Sequence, residues 1–122
     1  MTCSNISMES CIFCKIIKGK IPGKIIYRDT DVIVFYDISP KAPVHFLVVP
    51  VKHLPSLREV NDEDQKLLGK LLFTARKIAE DLKIAGSGYK VVMNNGKDAG
   101  QLVYHLHLHV LGGWRKKEDW VV

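Results

Sequence analysis

Apolar side chains along this chain fall at helical spacing over two stretches and form extended runs over the rest. Ile12, Phe13, Ile16 and Ile17 recur at such intervals between Cys11 and Lys18, and Gly19 with Pro22 closes the segment, which predicts a short helix. Two extended runs, Lys24 to Arg28 and Val32 to Tyr36, flank Asp29-Thr30-Asp31, whose side chains suit a tight turn between antiparallel strands. Ser39-Pro40-Lys41-Ala42-Pro43 breaks regular structure, because each proline lacks an amide donor and restricts the residue before it. A buried strand, His45 to Val49, then ends at Pro50. From Asn61 to Ile84 the positions Leu67, Leu68, Leu71, Leu72, Ala75, Ile78, Ala79 and Leu82 repeat every three or four residues and predict a long helix. Asn61 suits its cap, Asp62, Glu63 and Asp64 suit the positive end of its dipole, and Gly86 and Gly88 follow its end. Tyr89 to Met93 reads as a strand, Asn94 to Gly100 as a polar loop, and about Leu102 to Leu111 as a last strand stopped by Gly112-Gly113. The expected fold is α+β, one domain over 1–122 with helices on a mainly antiparallel sheet, a flexible start over 1–10 and a tail over 114–122.

Within the last strand, His105, His107 and His109 alternate with Leu106, Leu108 and Val110, so one face carries chemistry and the other enters the core. The outer two histidines stand about 13 Å apart along an extended chain, so the three cannot share one ion without bending it. A solvated polar face, or two of these histidines on one ion with partners from elsewhere, are the competing readings. Cys11 and Cys14 have the spacing of half a tetrahedral zinc site, of a redox dithiol, or of two unbonded core cysteines.

Composition narrows the setting. Among 122 residues, 47% are hydrophobic and 25% charged, the balance of a soluble globular domain large enough to fold without disulfides. No apolar run approaches the roughly 20 residues of a membrane helix, and the first residues lack the pattern of a secretory signal. The expectation is a cytoplasmic address, the nucleus left open, with no membrane partner. The net charge of +5 favours an anionic partner, but only Arg115-Lys116-Lys117 clusters, which points to a small phosphate-bearing molecule over nucleic acid.

The segment Gly100-Gln101-Leu102-Val103-Tyr104-His105-Leu106-His107-Leu108-His109-Val110-Leu111-Gly112-Gly113 resembles the signature of the histidine-triad (HIT) superfamily, and its Gly-Gly ending resembles the Hint branch. Phe35 to Pro40, Ala42 to Pro50 with His53, and Cys11 to Ile17 resemble the same branch in the same order. The resemblance implies a five-stranded sheet continuous across a homodimer, and hydrolysis of purine nucleoside 5′-phosphoramidates, AMP or GMP linked to an amine. It implies His107 as the nucleophile forming a nucleotidyl-histidine, His109 as a hydrogen-bond donor to a phosphate oxygen, and His45 as an orienting residue. Gly100 and the amides of Gln101, Leu102 and Val103 would cradle phosphate, Asp37 would accept from the ribose, Asn94 would add a sugar or phosphate contact, and Phe13, Ile16, Ile21 and Ile38 would line the base pocket. Zinc-bearing relatives imply a structural Zn2+ on Cys11, Cys14, His53 and His105, with no organic cofactor. Leu102 departs from the pattern, since relatives often carry a polar side chain there. Dinucleoside polyphosphate hydrolysis, or a nucleotide-binding module with little turnover, are the alternatives.

Overall fold

The computed structural model describes residues 10–116. The flexible start and the C-terminal tail expected from the sequence lie outside them, apart from Ser10 and residues 114–116. Among the described residues, the order is α1 (Ile12–Ile17), β1 (Ile25–Arg28), β2 (Val32–Tyr36), β3 (Val44–Pro50), α2 (Gln65–Asp81), β4 (Tyr89–Val92) and β5 (Leu108–Gly112). The strands form one antiparallel sheet in the order β1-β2-β3-β5-β4.

Both faces of the sheet are covered, which explains why β2 and β3 read as unbroken apolar runs with no polar alternation. Val32, Val34, Phe46, Val48, Leu108 and Val110 pack with Leu71, Ala75, Ile78 and Ala79 of α2. Ile33, Phe35, Leu47 and Val49 point the other way, against Phe13, Cys14, Ile16 and Ile17 of α1. Helix α2 is entered through a 3-10 turn, Asp62–Asp64, in which the Asp64 carboxylate accepts from the Asn61 amide at 3.0 Å. The same carboxylate, 2% exposed, pairs with Lys52, so its burial is compensated by two donors.

The last strand is shorter than its sequence pattern predicts. It starts at Leu108, not near Leu102, because the ladder to β3 ends at the pair Val48↔Leu108. Earlier in the chain, backbone groups find other partners: the Leu106 amide donates to the Leu54 carbonyl at 2.6 Å, and Gln101 Nε2 donates to the carbonyls of Pro55 (2.6 Å) and Val103 (3.0 Å). Pro50 and Pro55 sit on the facing segment and offer no amide for a ladder. Residues 102–107 are therefore an irregular segment held by the Leu106–Leu54 backbone bond and by side chains.

The β1–β2 turn depends on Asp29. Its Oδ1 accepts from the amides of Asp31 (2.8 Å) and Val32 (2.9 Å), and its Oδ2 accepts from the Tyr27 hydroxyl (2.7 Å) and lies 3.2 Å from Lys70 Nζ. Burial alone raises the pKa of this carboxyl, but the hydrogen bonds outweigh it and hold the group at about 2. Asp29→Ala is expected to cost about 2 kcal/mol at pH 7 in urea unfolding. Because the folded pKa is depressed, that cost should shrink as pH falls below about 4 toward 2, where the native turn loses its charge.

Candidate active site

The chain has five histidines, and the fold gathers all of them into one row. His53 and His105 have ring centroids 4.8 Å apart, His107 and His109 4.9 Å, and His45 and His109 5.1 Å. Phe13 of α1 bridges the middle, edge-on to His107 at 4.9 Å and to His105 at 6.0 Å. The alternation expected from the sequence survives the shortening of the strand. Leu106, Leu108 and Val110 enter the α2 side of the core, while the histidine rings stand on the α1 side.

Burial lowers the pKa of every one of these imidazoles. His105 is brought down to about 4 by desolvation, against the pull of its bond to Pro50. His109 also falls to about 4, through desolvation and then the neighbouring His107 and His45. His107, His45 and His53 are lowered by desolvation, which Asp37 opposes at His45. All five are neutral near pH 7, so each ring carries one N–H and one lone pair.

That restriction assigns the proton on four of the rings. His107 Nδ1 lies 2.7 Å from the His105 carbonyl, which only accepts, so Nδ1 holds the hydrogen and Nε2 holds the lone pair. Among the described residues no protein group bonds that Nε2, yet every fully buried side-chain N or O there has a partner, so Nε2 opens on solvent although the residue is only 7% exposed. On the other branch, the Lys41 amide donates to His45 Nδ1 at 2.9 Å, which puts the His45 hydrogen on Nε2. That hydrogen is donated to His109 Nδ1 at 2.9 Å, so His109 presents Nε2–H outward. A nucleophilic nitrogen and a hydrogen-bond donor thus stand side by side. The Lys41 amide, which starts this relay, leaves no signal in the sequence, because any residue but proline supplies it.

Asp37 follows β2, with Oδ1 accepting from the Ser39 amide (2.7 Å) and Oδ2 at 3.4 Å from His45 Nε2 and 3.9 Å from His109 Nδ1. Asp37, His45 and His109 bring three donor atoms within 4.8 Å, but His45 Nε2 carries a proton, so this trio relays hydrogen bonds and does not offer lone pairs to an ion. The loop before the triad differs from expectation in one respect. The Gln101 amide is spent on the Gly96 carbonyl (3.1 Å), and its side chain, which also accepts from the Gly96 amide (2.8 Å), braces the loop. The amides of Leu102 and Val103 have no internal acceptor among the described residues, and Gly100 at φ 84° makes the turn that presents them. Asn94 lies in the loop just past β4, and no side-chain hydrogen bond engages it among the described residues. Phe13 and Ile16 are core residues, Ile21 is half-buried against the same cluster, and Ile38 is 96% exposed.

At the other end of the row, Cys11, Cys14, His53 and His105 bring two sulfurs and two nitrogens within 4.8 Å of one another. The Nδ1 atoms of His53 and His105 are 3.2 Å apart, Cys14 Sγ is 3.2 Å from His53 Nδ1, and both sulfurs are 3.4 Å from His105 Nδ1. Tetrahedral zinc with bonds of about 2.0 Å to nitrogen and 2.3 Å to sulfur needs edges of about 3.3–3.8 Å, which these separations approach. His105 Nε2–H donates to the Pro50 carbonyl at 2.7 Å, leaving the Nδ1 lone pair facing the sulfurs. The donor set fits zinc. Zinc binds cysteine as the thiolate, so ligation requires both sulfurs reduced.

A family model described as scavenger mRNA decapping enzyme C-term binding matches residues 10–118. Over 105 residues the chain is 50% identical to an uncharacterized HIT-like protein of Synechocystis, covering 86% of this chain and 91% of that one. It is 46% identical over the same length to a purine nucleoside phosphoramidase of Escherichia coli, covering 86% and 88%. A HIT family hydrolase of Clostridium thermocellum superposes with a TM-score of 0.85 at 47% identity, over 88% of this chain and 93% of that chain. The chain belongs to the HIT family. Within it the chain is an enzyme, a HIT family hydrolase.

Because burial depresses the His109 pKa from 6.5 to about 4, the unfolded chain binds a proton more readily than the native one. The contribution of neutral His109 is complete above about pH 6.5 and is lost as pH falls toward 4. Relative to His109→Gln, the parent should lose about 2 kcal/mol between pH 7 and pH 4, read from paired urea titrations.

Proposed function

We propose that this enzyme hydrolyses purine nucleoside 5′-phosphoramidates through a nucleotidyl-histidine on His107. The observation that carries the reading is the hydrogen bond from His107 Nδ1 to the His105 carbonyl, which leaves Nε2 as an open lone pair beside the outward N–H of His109. The 46% identity to a purine nucleoside phosphoramidase supports the substrate class.

Attack by His107 Nε2 forms an N–P bond as the bond from phosphorus to the amine breaks, its electron pair leaving with the nitrogen, which takes a proton from water. His109 Nε2–H donates to a phosphate oxygen as charge develops there, and the amides of Leu102 and Val103 complete the cradle after the Gly100 turn. Water then adds to phosphorus, the His107–phosphorus bond breaks, and the nucleoside monophosphate departs with the lone pair restored to Nε2. His45 is a positioning residue, since its own proton is what makes His109 a donor. Asp37 accepts from the ribose hydroxyls and Asn94 adds a polar contact, while half-buried Ile21 and exposed Ile38 are the apolar side chains with surface left to offer the base.

Reduced Cys11 and Cys14 with His53 and His105 hold a structural Zn2+. Four protein ligands leave no position for an activated water, so the ion supplies rigidity between α1 and the histidine segment and takes no part in bond making. A homodimer with a continuous sheet is supported by β4, an edge strand bearing exposed Val91, with exposed Leu72 and Phe73 on α2. A cytoplasmic address completes the reading, and no helix among the described residues is long and apolar enough to cross a membrane.

Initial rates with an adenosine phosphoramidate and with a diadenosine polyphosphate test the assignment. The phosphoramidate is expected to be preferred, and His107→Ala should lose about 1,000-fold or more in kcat/KM. Equal rates in parent and variant would refute the nucleophile, and AMP binding without turnover would favour a binding module. For the metal, protein purified under reducing conditions without added zinc should carry about one zinc per chain and Cys14→Ser far less, by elemental analysis.

A further inference from the structure

His105 joins two functions through two different atoms. Its side chain belongs to the cysteine-histidine tetrad, and its backbone carbonyl is the acceptor that keeps the His107 hydrogen on Nδ1. Phe13, which lies between Cys11 and Cys14 on α1, makes a second contact, its ring edge-on to His107 at 4.9 Å. Two supports of the His107 ring therefore come from a tetrad residue or from the turn that carries its two sulfurs, and the third is its edge contact with His109 at 4.9 Å.

The His105–Leu106 peptide that carries this carbonyl is held by a backbone bond from the Leu106 amide to the carbonyl of Leu54, the residue that follows the tetrad's His53. Residues 102–107 precede the β5 ladder, so no run of ladder bonds adds to that one. The neighbouring anchors are the Leu106 amide on Leu54, the Gln101 bond to Val103, and the His105 side chain itself. By contrast, His109 lies inside the ladder opposite Leu47 and Val92, and the Lys41 amide sets its tautomer through His45. None of those groups belongs to the tetrad.

We propose that an ion on Cys11, Cys14, His53 and His105 governs the tautomer and orientation of the His107 ring through the His105 carbonyl and Phe13, while leaving His109 untouched. This rests on the zinc and nucleophile assignments above. The metal centre is then a positioning device for the nucleophile. Losing the ion, by chelation or by oxidation of a cysteine, lowers the rate of nucleotidyl transfer without removing a reacting group.

The experiment uses the full chain labelled with 15N-histidine, kept reduced, in zinc-loaded form and after chelator stripping, with zinc content measured in each. Long-range 1H–15N spectra report which ring nitrogen of each histidine is protonated. In the loaded protein, His107 should show one tautomer, protonated at Nδ1. After stripping, its two nitrogen shifts should move toward averaged values while those of His109 stay in place, and restored zinc should reverse the change. Single-turnover formation of nucleotidyl-His107 should fall about tenfold on stripping, the lower end of what losing an orienting outer partner costs. Unchanged His107 shifts in protein shown to have lost its zinc would overturn the coupling and leave both assignments standing. Parallel movement of His107 and His109 would also overturn it, because that is general loosening of the fold. Failure of the reduced chain to take up zinc defeats the metal assignment and the coupling together, whereas undiminished hydrolysis by His107→Ala defeats the nucleophile instead.

Discussion

A neutral imidazole has one hydrogen and one lone pair, and once it is buried each neighbour it touches decides where both lie. In this protein that constraint runs through five rings, the pair His53–His105 and the run His107–His109–His45, with Phe13 between them. Three backbone groups break the symmetry: the Pro50 carbonyl takes the His105 hydrogen, the His105 carbonyl takes that of His107, and the Lys41 amide claims the lone pair of His45. The outward chemistry follows from these, a lone pair at His107 and a donor at His109.

The same constraint separates two clusters that look alike by distance. Each places its donor atoms within 4.8 Å. Where the outer nitrogen of His105 is tied to a carbonyl, the inner one turns its lone pair toward the sulfurs, and the cluster suits a soft divalent ion. Where His45 accepts from an amide, its inner nitrogen must hold the proton, and the cluster passes hydrogen bonds to His109. Second-neighbour backbone groups, not the side-chain inventory, make one a metal centre and the other part of a reaction site.

The fold makes these assignments rigid by covering both faces of its sheet. With β5 between β3 and β4, His109 is locked into register opposite Leu47 and Val92, and α2 takes up the apolar alternate positions behind it. On the histidine side, α1 seals the row and brings Phe13 and the two cysteines to it. One short helix therefore serves both core packing and the site.

Period by itself determined much of this protein. The helical spacing from Leu67 to Leu82, the turn at Asp29, and the alternation of histidine with Leu106, Leu108 and Val110 are local properties, and local sterics and burial suffice to predict them. The start of β5, the commitment of the Gln101 amide to Gly96, the exposure of Ile38 and the meeting of Cys11 with His105 across 94 positions were decided only by tertiary structure. The physical reason is that a hydrogen-bond partner or a covering surface belongs to whichever distant segment the fold brings alongside. No residue announces in sequence that a carbonyl such as that of Pro50 will choose its tautomer.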